Sequence, residues 1–183
     1  LRLVGSEMCI RDRFTVLPGD YAVAVSSTSK YVTYGGEQVA EIRAGSAPLS
    51  SGMAFQQSFT PALEQDVTKQ LNAQLDKCAK TAEFEPEGCP FEYSIYGDEK
   101  DYRNPVWSIE KYPTYSVSRS PFDSGEISFT TTKSGEARLD YQHNEEYDDD
   151  EPADWSDEDT TTSISTSGTV VVSGDKLTVK TGD

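Results

Sequence analysis

One segment of this chain keeps the helical rhythm of about 3.6 residues, and nearly everything around it keeps a rhythm of two. Leu63, Val67, Leu71, Leu75 and Cys78 recur at spacings of four, four, four and three, which draws a single apolar stripe down one helix face. Thr60 suits the N-cap and Pro61 the first helical position. Glu64, Gln65, Lys69, Asn72 and Lys77 lie between the stripe residues as the wet face, and the helix is expected to end near Lys80, before the Pro86-Glu87-Gly88 turn. After it come FEYSIY (91–96), VWSIEKY (106–112), TYSVSR (114–119), EISFTTT (126–132), EARLDYQH (136–143), TTTSIST (160–166), TVVV (169–172) and KLTVK (176–180), all rich in β-branched or aromatic residues. Pro113 makes the second and third of these either one bent strand or two. Lys133-Ser134-Gly135 reads as a hairpin turn and Ser173-Gly174-Asp175 as a final tight turn. A helix followed by a meander of antiparallel strands is an α+β arrangement, with the leucine stripe laid across one face of a curved sheet.

The region before the helix reads differently. FTVLPGDYAVAV, KYVTY and EQVAEI alternate like half-buried strands over residues 14–43, and Pro18-Gly19 is a turn signal. Tyr21, Val23 and Val25 share one face of the strand that follows. Residues 44–58, small and polar, read as a linker. At the very start, Leu3 to Arg13 (LVGSEMCIRDR) match one reading frame of the transposase adapter used to prepare sequencing libraries, over eleven residues. Residues 1–13 are therefore set aside as adapter-derived and excluded from fold reasoning. The natural sequence is then expected to start near Phe14, inside a truncated β-sandwich of which only the later strands remain.

Charge narrows the partners. The chain carries a net charge of −16, and the excluded segment, with three arginines against two acids, accounts for none of that excess. No basic stripe exists to neutralise phosphate, so nucleic acid and an anionic membrane surface are excluded as partners. The densest run of acid is Asn144–Asp159 (NEEYDDDEPADWSDED), where ten of sixteen residues are acidic. Such a run is expected to be a solvated loop rather than a packed strand. Its carboxylates are hard-oxygen donors, which makes Asp148, Asp149, Asp150 and Asp157 the candidates for a calcium site. The alternating spacing of an EF-hand loop is absent, however, and no metal is assigned. Trp155 within the run is expected to dock it back on the sheet.

Chemistry is scarce. Of three cysteines, Cys9 falls in the excluded segment. Cys78 closes the helical stripe and Cys89 follows a short loop later, which predicts a disulfide pinning the helix end to the next strand and an oxidising compartment. His143 is the one histidine, placed at a strand end with neither a nucleophile motif nor a glycine-rich phosphate loop to accompany it. No residue is assigned as catalytic or cofactor-binding. A secreted hydrolase with an unrecognised carboxylate pair is the alternative reading, as is a calcium-binding surface domain.

Two resemblances add to this. LPGDYAVAV is similar to the strand found near the end of PEGA-type and other small surface β domains. From Pro61 onward, the helix ending in cysteine, then GCPF, VWSIEKYP and SGTVVVSGDKLTV, resembles the extracellular C-terminal region of actinobacterial membrane-anchored proteins that carry a zinc ribbon, one membrane helix and small β domains. The last domain resembles the NTF2-like domain of the teicoplanin-resistance-associated (TcaA-type) membrane proteins. That resemblance implies a non-catalytic module on the outer face of the cell membrane, or secreted. It would bind, sense or space an envelope component or a small ligand, and meet the membrane through an upstream anchor alone.

Overall fold

The computed structural model describes residues 3–4, 16–27, 29–45, 53–119, 126–146 and 151–182. The chain divides into two units, one of residues 1–63 with 172–177 and one of residues 64–171 with 178–183.

The first unit is built from short strands. β1 (Leu3–Val4) pairs in parallel with β3 (Val25–Ser26), and β2 (Gly19–Val23) pairs antiparallel with β5 (Gln38–Ile42). β4 (Val32–Tyr34) pairs antiparallel with β6 (Gln57–Phe59), so the last residues of the expected linker belong to a strand. Ladders of two to five residues hold little by themselves, and side chains reinforce them. Tyr31 is buried; its neighbour Lys30 donates its main-chain N–H to Asp175 Oδ1 at 2.9 Å, and the Thr60 hydroxyl donates to the Lys30 carbonyl at 2.7 Å. Asp175 sits in the turn where Gly174 takes φ +60°, a conformation that favours glycine.

The helix lies where the stripe put it. α1 (Pro61–Cys78) buries Leu63, Val67, Leu71, Leu75 and Cys78, each no more than 5% exposed. The Thr81 hydroxyl and main-chain N–H both bond the Cys78 carbonyl, occupying one of the acceptors a helix end leaves open. Leu75 and Cys78 pack with Phe91, Trp107, Ala137, Leu139 and Ile164 in one core cluster.

The rest of the second unit is antiparallel. β7 (Tyr102–Lys111), β10 (Gly135–Asn144) and β11 (Trp155–Ile164) form a sheet in the order β11-β10-β7. β8 (Thr114–Arg119), β9 (Ile127–Lys133), β12 (Ser167–Ser173) and β13 (Lys176–Thr181) form another in the order β13-β12-β9-β8. Each strand of the first sheet runs straight on into a strand of the second, across 112–113, 134 and 165–166. These are long strands bent at a common level, and Pro113 therefore marks a bend.

That geometry corrects the hairpin expected at Lys133-Ser134-Gly135. β9 pairs with β8 and β10 with β7, so the two strands either side of Ser134 lie in different sheets. Glycine is required there because the chains cross closely. A Cβ on Gly135 would stand 2.5 Å from the Lys111 carbonyl oxygen and 2.6 Å from the Pro113 ring. Thr131 and Thr166 lock the same level on the neighbouring strands, the Thr131 hydroxyl donating to the Thr166 carbonyl at 2.8 Å and accepting from the Thr166 N–H at 2.9 Å. The Thr131 N–H also donates to the Thr166 carbonyl at 3.0 Å, so side chain and main chain together hold the strands at the bend.

Two further expectations are corrected. FEYSIY (91–96) is extended and alternates in burial, yet it is not a strand. Phe91 stacks on Trp107 with centroids 4.8 Å apart, the Trp107 indole donates to the Glu83 carbonyl at 2.8 Å, and Tyr93 N–H donates to the Phe84 carbonyl at 2.9 Å. The segment lies over the sheet instead of joining it, which demands the same alternation of side chains. The acidic run is also shorter than expected, since residues 155–159 are the first half of β11. An acidic strand is tolerated there because β11 is an edge strand whose Asp157, Glu158 and Asp159 are all exposed.

Candidate binding surface

Period-two alternation gives the β11-β10-β7 sheet two unlike faces. Trp107, Ala137, Leu139 and Ile164 face the core. Their alternates, Glu136, Arg138, Asp140 and Gln142 on β10 with Asp157 and Asp159 on β11, face the other way and are mostly exposed. This outer face holds an open depression of about 510 Å³, bordered by Asn104, Val106, Arg138, Gln142 and Asp159.

A β-bulge decides what the depression contains. Val106 pairs with Asp140 and Arg103 with Gln142, so Asn104 and Pro105 stand opposite the single residue Tyr141. Pro105 lacks the N–H that a regular ladder needs. Asn104 takes φ 56°, the left-handed region that asparagine enters more readily than most residues. The extra residue flips the strand, so that Arg103 reaches the outer face and Tyr102 the inner one.

On the outer face the polar groups form a connected ladder. The Gln142 carbonyl oxygen accepts from Arg103 Nε and from Asn104 Nδ2, both at 2.9 Å, and its own amide donates to Asp157 Oδ1 at 2.8 Å. Arg138 bridges Asp140 at 3.0 Å and Asp159 at 3.4 Å; these bonds and charges raise its guanidinium pKa, the hydrogen bond to Asp140 most of all. Asp140 and Asp159, the carboxylates opposite each other on β10 and β11, therefore share a cation. The Arg103 guanidinium lies 3.7 Å over the Trp155 ring. Trp155 does dock its segment on the sheet, and it does so from within β11.

On the inner face the aromatic residues pack against one another. Tyr93 and Tyr141 share a 3.0 Å hydroxyl contact, Phe84 meets both rings, and Tyr102 stacks near Tyr141 and His143. Centroid separations of 4.7–6.1 Å are those of rings in direct contact. Burial, with the Tyr93 contact second, pushes the Tyr141 hydroxyl pKa up. His143 sits half-buried against Tyr102.

Cys78 and Cys89 are joined in a disulfide, their Cα atoms 5.8 Å apart, and the bond ties the end of α1 to the segment that covers the inner face. A bonded pair fits an oxidising compartment. Among the described residues no helix is long and apolar enough to cross a membrane, and no three potential metal ligands cluster together. Of the calcium candidates, Asp148, Asp149 and Asp150 lie outside the described residues, and Asp157 is engaged with Gln142 in β11. The outer-face set, Arg103, Asn104, Arg138 and Gln142, went unassigned from sequence. Alternation in EARLDYQH already put Arg138, Asp140 and Gln142 on one face, whereas Arg103 and Asn104 depend on a bulge with no sequence signature beyond Pro105. No protein-family model, no curated protein and no solved structure matches the chain.

Proposed function

We propose that this chain is an exported, non-catalytic recognition module of a cell-envelope protein, NTF2-like in kind, which meets its envelope partner with the outer face of the β11-β10-β7 sheet. The observation that carries the reading is the contrast between the two faces. The inner face is largely filled by its own side chains, and the groove left beside Trp107 and Tyr93 opens at the β11 edge. The outer face presents side-chain donors and acceptors already held in place by one another, and preorganised polar groups lose little freedom on binding. A leading helix and long bent antiparallel strands support the NTF2-like part. The disulfide supports export, and the net charge of −16 supports a partner other than nucleic acid.

The test is to sequence the genomic locus by a method that uses no transposase adapter and to read the frame upstream of Phe14. An apolar span of about 20 residues with a short cytoplasmic segment before it is the expected result. A continuous upstream domain with no export signal would overturn the envelope assignment.

A further inference from the structure

We propose a second recognition site in this chain, a groove at the free edge of β11 that accepts an extended, net-basic peptide segment as an added β-strand. Among the described residues β11 has a hydrogen-bonded neighbour on one side only, β10. Its other edge presents main-chain donors and acceptors to solvent, a ready template for another strand. Beside that edge runs the extended segment 91–96, which follows strand alternation but belongs to no ladder. Its main-chain bonds are Tyr93 N–H to Phe84 and the Tyr96 carbonyl accepting from the Tyr102 hydroxyl at 3.0 Å. The two runs border a groove of about 410 Å³ lined by Tyr93, Ser94 and Trp107 together with Thr160, Thr161 and Thr162 of β11. A strand edge beside a segment that joins no ladder is what strand addition uses, with main-chain bonds supplying affinity and side-chain pockets supplying selectivity.

Charge selects the occupant. Glu92 borders the groove, and Glu158 continues along the same strand, while Asp157 and Asp159 beside it are engaged by Gln142 and Arg138. A guest with lysine or arginine on its outward positions is favoured, and an acidic one is repelled. The same acids, in a chain of net charge −16, work against pairing with a second copy. This site uses the edge of the sheet, so it stands or falls separately from the outer-face reading.

The test is a titration of the isotope-labelled full chain with the peptide acetyl-Lys-Val-Lys-Val-Lys-amide, followed by NMR shifts and amide exchange. The expected result is saturable shifts at residues 92–96 and 160–162, with exchange at one or more of the 160–162 amides slowed at least ~10-fold. The same peptide N-methylated at alternate residues should bind at least ~10-fold more weakly, because it cannot complete the ladder. Acetyl-Glu-Val-Glu-Val-Glu-amide should not bind. Equal binding of the N-methylated peptide would reduce the effect to charge attraction and overturn the proposal. So would unchanged exchange at saturation, or protection that rises with protein concentration in the absence of peptide, which would make the occupant a second copy.

Discussion

The two faces of the β11-β10-β7 sheet are cut from the same three strands, and they do opposite things. Ala137, Leu139 and Ile164 are fully buried on the inner face, while Glu136, Asp140 and Gln142, one residue along, meet water or one another. The inner face depends on area removed from water and close fit. The outer face depends on hydrogen bonds that water could equally make, which contribute little to folding. On the proposed reading, stability and recognition fall to alternate residues of one strand, and either can be altered with limited effect on the other.

The sharpest way to break the close packing on which the inner side depends is at the closest approaches, the tightest of them on β12 of the neighbouring sheet. A Cβ on Gly168 would stand 2.0 Å from the Lys180 carbonyl oxygen and 2.8 Å from the Phe129 ring. Because the nearest obstacle is backbone, Gly168→Ala should cost about 3 kcal/mol or more in denaturant unfolding. Trp107→Ala should cost a similar ~3–5 kcal/mol, through lost contact with Phe91 and an orphaned Glu83 carbonyl. The disulfide comes next. Reduction, or Cys78→Ser with Cys89→Ser, should lower stability by about 2–3 kcal/mol on the chain-entropy account, seen as a lower unfolding midpoint in the presence of reductant.

A smaller effect of opposite sign is expected at Tyr115. Its ring is buried against Phe129, while its hydroxyl has no hydrogen-bond partner among the described residues and burial pushes its pKa up to about 12. Tyr115→Phe should therefore stabilise the protein by about 1 kcal/mol. The pH dependence follows from the same group. The unfolded chain releases the phenolic proton near pH 10 and the folded one near 12. Between those values the unfolded state binds fewer protons, so stability falls as pH rises. In Tyr115→Phe that part of the slope should vanish.

The helix was legible in sequence because Leu63 through Cys78 satisfy one periodicity, carry Pro61 at the start, and need no distant partner to be recognised. The disulfide was legible because loop length and position leave one pairing outside the excluded segment. Strand existence was mostly legible; strand partnership was not. Lys133-Ser134-Gly135 has hairpin chemistry, yet its glycine serves the close passage of Lys111 and Pro113, which lie more than twenty residues away. FEYSIY alternates because it covers a sheet face, and alternation alone does not distinguish covering from pairing. Acids at 157–159 argue against a buried strand and are silent about an edge strand. The outer face needed both the strand order and the Asn104 bulge, each set by tertiary pairing.

The most direct test of this division of labour is thermal unfolding of a triple outer-face variant, Arg138→Gln, Gln142→Ala and Asp157→Asn, beside the parent chain. These side chains interact through exposed bonds, and the expected change in Tm is no more than ~4 °C. A drop of ~10 °C or more would show that the polar ladder holds the sheet together, and would contradict its assignment to recognition.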